Sequence, residues 1–228
     1  MAAEPLILAI ESSGEPLSIA LAQGERLLGL SLLGLPRIHD RMAAELVRRL
    51  LQDCNLSAAQ LDAVAISAGP GSFTSLRIGA SLAKGLCMEG RPALVPVPTL
   101  EALAEAALLV ARMLGAEQIL ACIPTTDSPD AELFVQRFAL DSAELAIRSF
   151  PEGLQRLRAE SLEPSPRTLL CGPASGRLRG GLRLPYLERL SAEWIAASGL
   201  RRLLSGQFVA AEEFLPLYGW EFTPRERH

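Results

Sequence analysis

The chain has 228 residues, of which 49% are hydrophobic and 21% charged, enough apolar content for a sizeable core in one large domain or two small lobes. Its net charge of −4 argues against a protein that grips a nucleic-acid backbone unaided, which needs a basic surplus or patch. Cys54, Cys87, Cys122 and Cys171 lie far apart, with neither CxxC nor ligand spacing, so the cysteines read as free thiols in a reducing cytoplasm. The stretch before Pro5–Ile10 is acidic rather than basic, and no apolar run reaches bilayer-spanning length. The expectation is a soluble, cytoplasmic protein with no membrane association.

Apolar runs predict strands over Leu6–Ile10, Leu17–Ala22 and Arg26–Leu33, the last after a Gln23-Gly24-Glu25 turn. A helix is predicted over 38–54, with Met42, Ala43, Leu46, Val47, Leu50 and Cys54 on one face. Strand Ala63–Ala68, a glycine loop, a helix from Thr74 to about Glu89 and strand Ala93–Val97 follow. The second half offers a helix over Leu100–Met113 and strands over Gln118–Ile123, Glu132–Ala139 and Ala143–Phe150. A weak helix over Glu152–Ala159, a strand over Thr168–Cys171 and a late helix over Ser191–Ser205 complete it. Three strands, then a helix and a strand, recur in the same order. This predicts an α/β protein of two tandem RNase H-like lobes, the actin-like ATPase architecture, with residues 1–98 as the first lobe and 99–228 as a reduced second one. The recurrence lies in element order, without clear residue-level self-similarity.

The most informative stretch is Gly69-Pro-Gly-Ser-Phe-Thr-Ser-Leu-Arg-Ile-Gly79, between a strand and a helix. Its glycines can take backbone angles closed to other residues, and Ser72 or Thr74 can cap the helix. Such a turn suits an anion or the close approach of another backbone, but the P-loop lysine is missing. Ser75, Gly79, Ala83 and Cys87 form a row of small side chains beside an aliphatic row of Ile78, Leu82 and Leu86. That face packs either on the chain's own sheet or on another subunit.

Glu11-Ser12-Ser13-Gly14 closes the first strand, where actin-like ATPases cradle phosphate and place a metal. Lacking a second glycine and a basic neighbour, it reads as a working phosphate turn or as a vestigial turn closed by serine hydrogen bonds. His39 and His228 are the only histidines, too few for a metal site, and no serine or cysteine has a histidine base other than His39. No cofactor, metal or catalytic residue is expected.

Ile7-Leu-Ala-Ile-Glu-Ser-Ser13, the helix opening at His39, the Gly69–Gly79 motif, Val97-Pro-Thr-Leu100 and Phe214-Leu-Pro-Leu-Tyr218 together resemble the TsaB (YeaZ) family. The resemblance is strong over residues 5–105 and looser beyond. It implies a non-catalytic partner subunit in tRNA threonylcarbamoyladenosine modification. Such a subunit pairs with a catalytic TsaD-type protein and is joined by a TsaE-type ATPase. It also implies tRNA contact only through the complex and a possible homodimer in isolation. Pairing through the first two helices would use His39, Met42 and Leu46, with Ser72, Phe73, Thr74, Ser75, Arg77, Ile78, Gly79 and Ala83. On that reading, arginine at position 79 blocks assembly without harming the fold. The family's usual His-Ser-Glu is His39-Asp40-Arg41 here. Its Asp-Ala-Arg-x-x-Glu-Val-Tyr segment is Asp127-Ser-Pro-Asp-Ala-Glu-Leu-Phe134, with Pro129 in the arginine's place. The competing reading is an independent actin-like ATPase or a metal-dependent glycoprotease-type peptidase.

Overall fold

A computed structural model describes residues 4–88, 91–126, 128–141 and 146–218. Strands β1 (Leu6–Glu11), β2 (Leu17–Gln23), β3 (Arg26–Leu33), β4 (Ala63–Ser67) and β5 (Ala93–Val97) form one sheet in the order β3-β2-β1-β4-β5. Helix α1 (His39–Asp53) joins β3 to β4, and α2 (Phe73–Leu86) joins β4 to β5. After α3 (Thr99–Met113) come β6 (Gln118–Pro124), β7 (Leu133–Leu140), β8 (Ile147–Ser149), β9 (Gln155–Leu157), β10 (Thr168–Cys171) and β11 (Leu182–Arg183), then α4 (Ala192–Leu204). The second sheet runs β11-β10-β6-β7-β8, with β9 pairing β7. Reversed, this is the order of the first sheet, so the topology repeats. The helices expected between its later strands have shrunk to turns.

Alternation along β1 explains the layering. Leu6, Leu8 and Ile10 join a core with α1 and α2, while Ile7 and Ala9 face the opposite way into a core with α3 and α4. Ile119, Ala121 and Ile123 of β6 reach the same second core, so α3 and α4 lie between the sheets. Helix α4 packs on β1, β2, β4 and β5, and α3 on β6, β7 and β10. The amide of Ala192, at the start of α4, donates to Ser18 Oγ on β2 at 2.7 Å, tying α4 to the first sheet.

Two predicted elements differ. Residues 152–159 do not form a helix: Gly153 takes φ +60°, and Leu133–Val135 of β7 captures Gln155–Leu157 as a strand. Strand β8 covers Ile147–Ser149 of the expected 143–150, and residues 142–145 lie outside the described ones. A residue-level echo also emerges. Gly69-Pro70 after β4 and Gly172-Pro173 after β10 both have glycine at φ +96°, and a Cβ there would meet a carbonyl oxygen at 2.1 Å and 2.2 Å respectively. The same strand-to-turn solution recurs in both halves because only glycine tolerates that angle and that approach.

Candidate functional site

The β1–β2 turn is closed by its own side chains. Ser13 donates to Glu11 Oε1 at 2.6 Å through both its amide and its hydroxyl, and the Ser12 amide donates to Ser67 Oγ at 3.0 Å. The carboxyl of Glu11 is fully buried, and burial raises its pKa against the hydrogen bonds from Ser13 and Ser67. The amides of Ser12 and Ser13, which a phosphate would need, are already committed. The glycine loop lies directly on this turn: the Ser72 amide donates to Ser13 C=O at 2.7 Å, and a Cβ at Gly71 would meet that oxygen at 2.3 Å. Of the two functions foreseen for the loop's glycines, close backbone approach is the one in place.

His39 sits at the start of α1, buried, with Nε2 donating to Gly14 C=O at 3.1 Å. Burial lowers its pKa, so the imidazole is neutral near pH 7 and carries its proton on Nε2. It fastens α1 to the β1–β2 turn. Beside it, Gly14, Glu15, Arg37, Asp40, Ser72, Thr74, Ser75 and Ile78 line a groove of about 440 Å³ between the starts of α1 and α2. A wider cleft of about 770 Å³ continues past Ser13 and Phe73 to Thr125, Thr126, Pro173 and Leu190 of the second half. Among the described residues no side chain caps α2, so its first-turn amides face this region.

The predicted site residues divide into two sets. Ser72, Phe73, Thr74, Ser75, Arg77 and Ile78 are exposed or half-buried, and Met42 is half-buried against the core. Leu46, Gly79 and Ala83 are buried within the chain itself. A Cβ at Gly79 would meet Ser12 Oγ at 2.0 Å and Ile66 Cδ1 at 3.2 Å, so the small-residue row packs on the β1 turn and β4. The expectation that arginine at 79 spares the fold is therefore corrected, because there is no space for any side chain. Glu11, Ser12 and Ser13 lie under the same contact. Asp127 lies outside the described residues, while Glu132 pairs with Arg156 at 2.5 Å.

Sequence reasoning missed the lining from Arg37, Thr125, Thr126 and Pro173, which only the folded chain brings together. It also missed that Phe214–Tyr218 seats against the glycine loop: the Leu217 amide donates to Ala68 C=O at 2.7 Å, and the Phe73 and Tyr218 rings lie 4.6 Å apart. Among the described residues no three His, Cys, Asp or Glu side chains could hold a metal ion. No described helix is long and apolar enough to cross a membrane.

A family model described as TsaD, tRNA N6-adenosine threonylcarbamoyltransferase, matches residues 35–118, from the approach to α1 to the start of β6. The tRNA threonylcarbamoyladenosine biosynthesis protein TsaB of Haemophilus influenzae is 32% identical over 117 residues, which is 51% of this chain and 48% of that protein. The TsaB of Bacillus subtilis is 36% identical over 98 residues, 43% of each chain. These matches span about half the length of the curated relatives. The solved structure of YeaZ from Pseudomonas aeruginosa superposes with TM-score 0.74 at 27% identity, covering 92% of this chain and 99% of that one. The chain is similar to the TsaB (YeaZ) proteins, in sequence over about half its length and in fold over nearly all of it. The catalytic TsaD-type relatives match over less of their length: the tRNA N6-adenosine threonylcarbamoyltransferase of Pyrobaculum calidifontis is 37% identical over 105 residues, only 31% of that protein. The likeness to YeaZ supports the actin-like, RNase H-like architecture, in agreement with the two sheets of repeated order.

Proposed function

We propose that this chain serves tRNA threonylcarbamoyladenosine biosynthesis as a non-catalytic subunit that pairs with a TsaD-type catalytic protein, with a TsaE-type ATPase joining the assembly. The observation that carries this reading is the contrast between two neighbouring features. The turn that would cradle phosphate has committed its Ser12 and Ser13 amides internally, whereas the groove beside it, along the starts of α1 and α2, is open and mixed in polarity. A groove that sets half-buried Ile78 among Arg37, Asp40, Thr74 and Ser75 has the mixed apolar and polar lining of a protein interface. Under this reading the lobes at 1–98 and 99–228 act as one scaffold, and tRNA contact belongs to the complex, whose partner supplies the basic surface.

The binding test is co-elution and calorimetry with the TsaD-type protein of the same cell. Ile78→Glu places a charge in the groove from a half-buried position and is expected to weaken pairing at least tenfold, as loss of a central interface anchor does. Wild-type affinity in that variant would move the interface elsewhere. An actin-like ATPase would instead bind ATP with magnesium in isolation. A tight site lost in Glu11→Ala would replace the accessory reading with that one.

A further inference from the structure

After α4 residues 207–218 leave the second half. They return as an extended strap along the first sheet. The Val209 amide donates to Leu94 C=O at 3.0 Å, covering the outer edge of β5. Ala211 and Phe214 are buried in the core shared by α1 and α2, and Lys84 Nζ on α2 reaches the Glu212 carbonyl at 3.4 Å. The strap then crosses beneath the glycine loop. Its Leu217 amide donates to Ala68 C=O, and its Leu217 carbonyl oxygen occupies the space that a Cβ at Gly69 would need, 2.1 Å from that position. Finally Tyr218 lies against Phe73, the first residue of α2, with Arg77 stacked over Phe73 at 5.3 Å from the ring centre.

Gly69 is thus the seat of the strap as well as part of the loop, and Phe73 is shared. One side of Phe73 meets Tyr218, and it also lines the cleft between the two halves. A first helical turn is the weakest part of any helix, since its amides have no partners within the helix. Here the strap adds a ring contact to that turn, Tyr218 against Phe73.

We propose that the strap, residues 207–218, positions the first turn of α2, with Tyr218 and Leu217 as the positioning residues. A seated strap and a binding-ready groove are then one state of the molecule. Through Phe73 the strap holds Ser72, Thr74 and Ser75 in the pose that a partner subunit meets. A partner that binds only this pose also favours the seated strap, by reciprocal coupling. This rests on the pairing proposed above only for the identity of the partner, because the support of α2 is a property of the isolated chain.

The test uses the full chain as wild type, Tyr218→Ala, Tyr218→Phe and Leu217→Pro. Amide hydrogen exchange is read in the isolated proteins for residues 76–78, whose amides are the first to bond back into that turn, and affinity is read against the TsaD-type subunit. Loss of one aromatic pair is expected to speed exchange in that turn by roughly threefold to tenfold and to weaken partner binding by a similar factor. Leu217→Pro, which deletes the amide donated to Ala68, is expected to do the same, and Tyr218→Phe to behave as wild type. Unchanged exchange in both Tyr218→Ala and Leu217→Pro would overturn the positioning role. Faster exchange with undiminished affinity would overturn its coupling to the groove. Wild type that binds no TsaD-type protein would remove the proposed pairing, and the exchange result would still decide the strap.

Discussion

Replacing Gly79 by alanine is expected to destabilise the chain, although the same change in an open helix would stabilise it. In a free helix position, alanine is favoured over glycine by about 1 kcal/mol. In this fold the added Cβ would stand 2.0 Å from Ser12 Oγ, 2.9 Å from Ser12 Cβ and 3.2 Å from Ile66 Cδ1. Rotating the serine hydroxyl relieves the first contact only, so α2 or the β1 turn must shift. Overpacking of this kind costs about 1–3 kcal/mol, and contacts this short belong at the upper end. The net loss is therefore about 2 kcal/mol, or roughly 2–4 °C in Tm for each kcal/mol in a chain of this size. Urea unfolding should show a lower midpoint at unchanged slope. Ser12→Ala alone removes a buried hydroxyl that has no hydrogen-bond partner among the described residues and should be neutral or stabilising. Combined with Gly79→Ala, it should recover part of the midpoint. If Gly79→Ala unfolds at the wild-type midpoint or above it, then the small-residue row faces outward and the packing described here is wrong.

Ser18→Ala strands the Ala192 amide in the core and should cost about 1–3 kcal/mol in chemical denaturation; a loss within error would deny that this bond anchors α4. The pKa of Glu11 is raised by burial, so the folded state holds its proton more tightly than the unfolded chain does. Stability should fall as pH climbs from the unfolded value of 4.5 toward the folded one, and the advantage of Glu11→Gln over wild type should grow across that window in pH-dependent melts. His39 works in the opposite direction. Its folded pKa lies below 6.5, so acidification through 6.5 should cost wild type stability that His39→Gln does not lose. Burial pushes the Cys87 and Cys122 thiols up to about 12 and Cys171 well above its usual value, so native alkylation followed by peptide mass analysis should label half-buried Cys54 first. Equal labelling of Cys122 and Cys54 would contradict the buried sheet.

The first sheet was legible because its strands announce themselves. Leu6–Ile10 and Ala63–Ile66 are continuous apolar runs buried on both faces, and Gly24 marks the β2–β3 turn. Strands β9 and β11 were not legible. Gln155–Leu157 and Leu182–Arg183 are too short to carry a period, and each exists because a neighbouring strand, β7 or β10, offers a free edge. Periodicity found the Ser75, Gly79 and Ala83 row but could not say which way it faced. That depended on Ser12, more than sixty positions earlier in the chain. The groove was half legible. Ser72–Ile78 stood out as a motif, whereas Arg37, Thr125 and the Tyr218 strap contribute through contacts between distant segments that no local pattern encodes.

The central claim is that the chain contributes to tRNA modification through protein contact and not by chemistry of its own. The most direct measurement is a reconstituted reaction containing the TsaD-type and TsaE-type proteins, the activated threonylcarbamoyl donor and unmodified tRNA. It is run with wild type, with Ile78→Glu and without this chain, and product is read by nucleoside analysis. The account predicts threonylcarbamoyladenosine with wild type, a loss with Ile78→Glu that parallels its loss of partner affinity, and none without the chain. Equal product with and without the chain, at matched catalytic-subunit concentration, would contradict it.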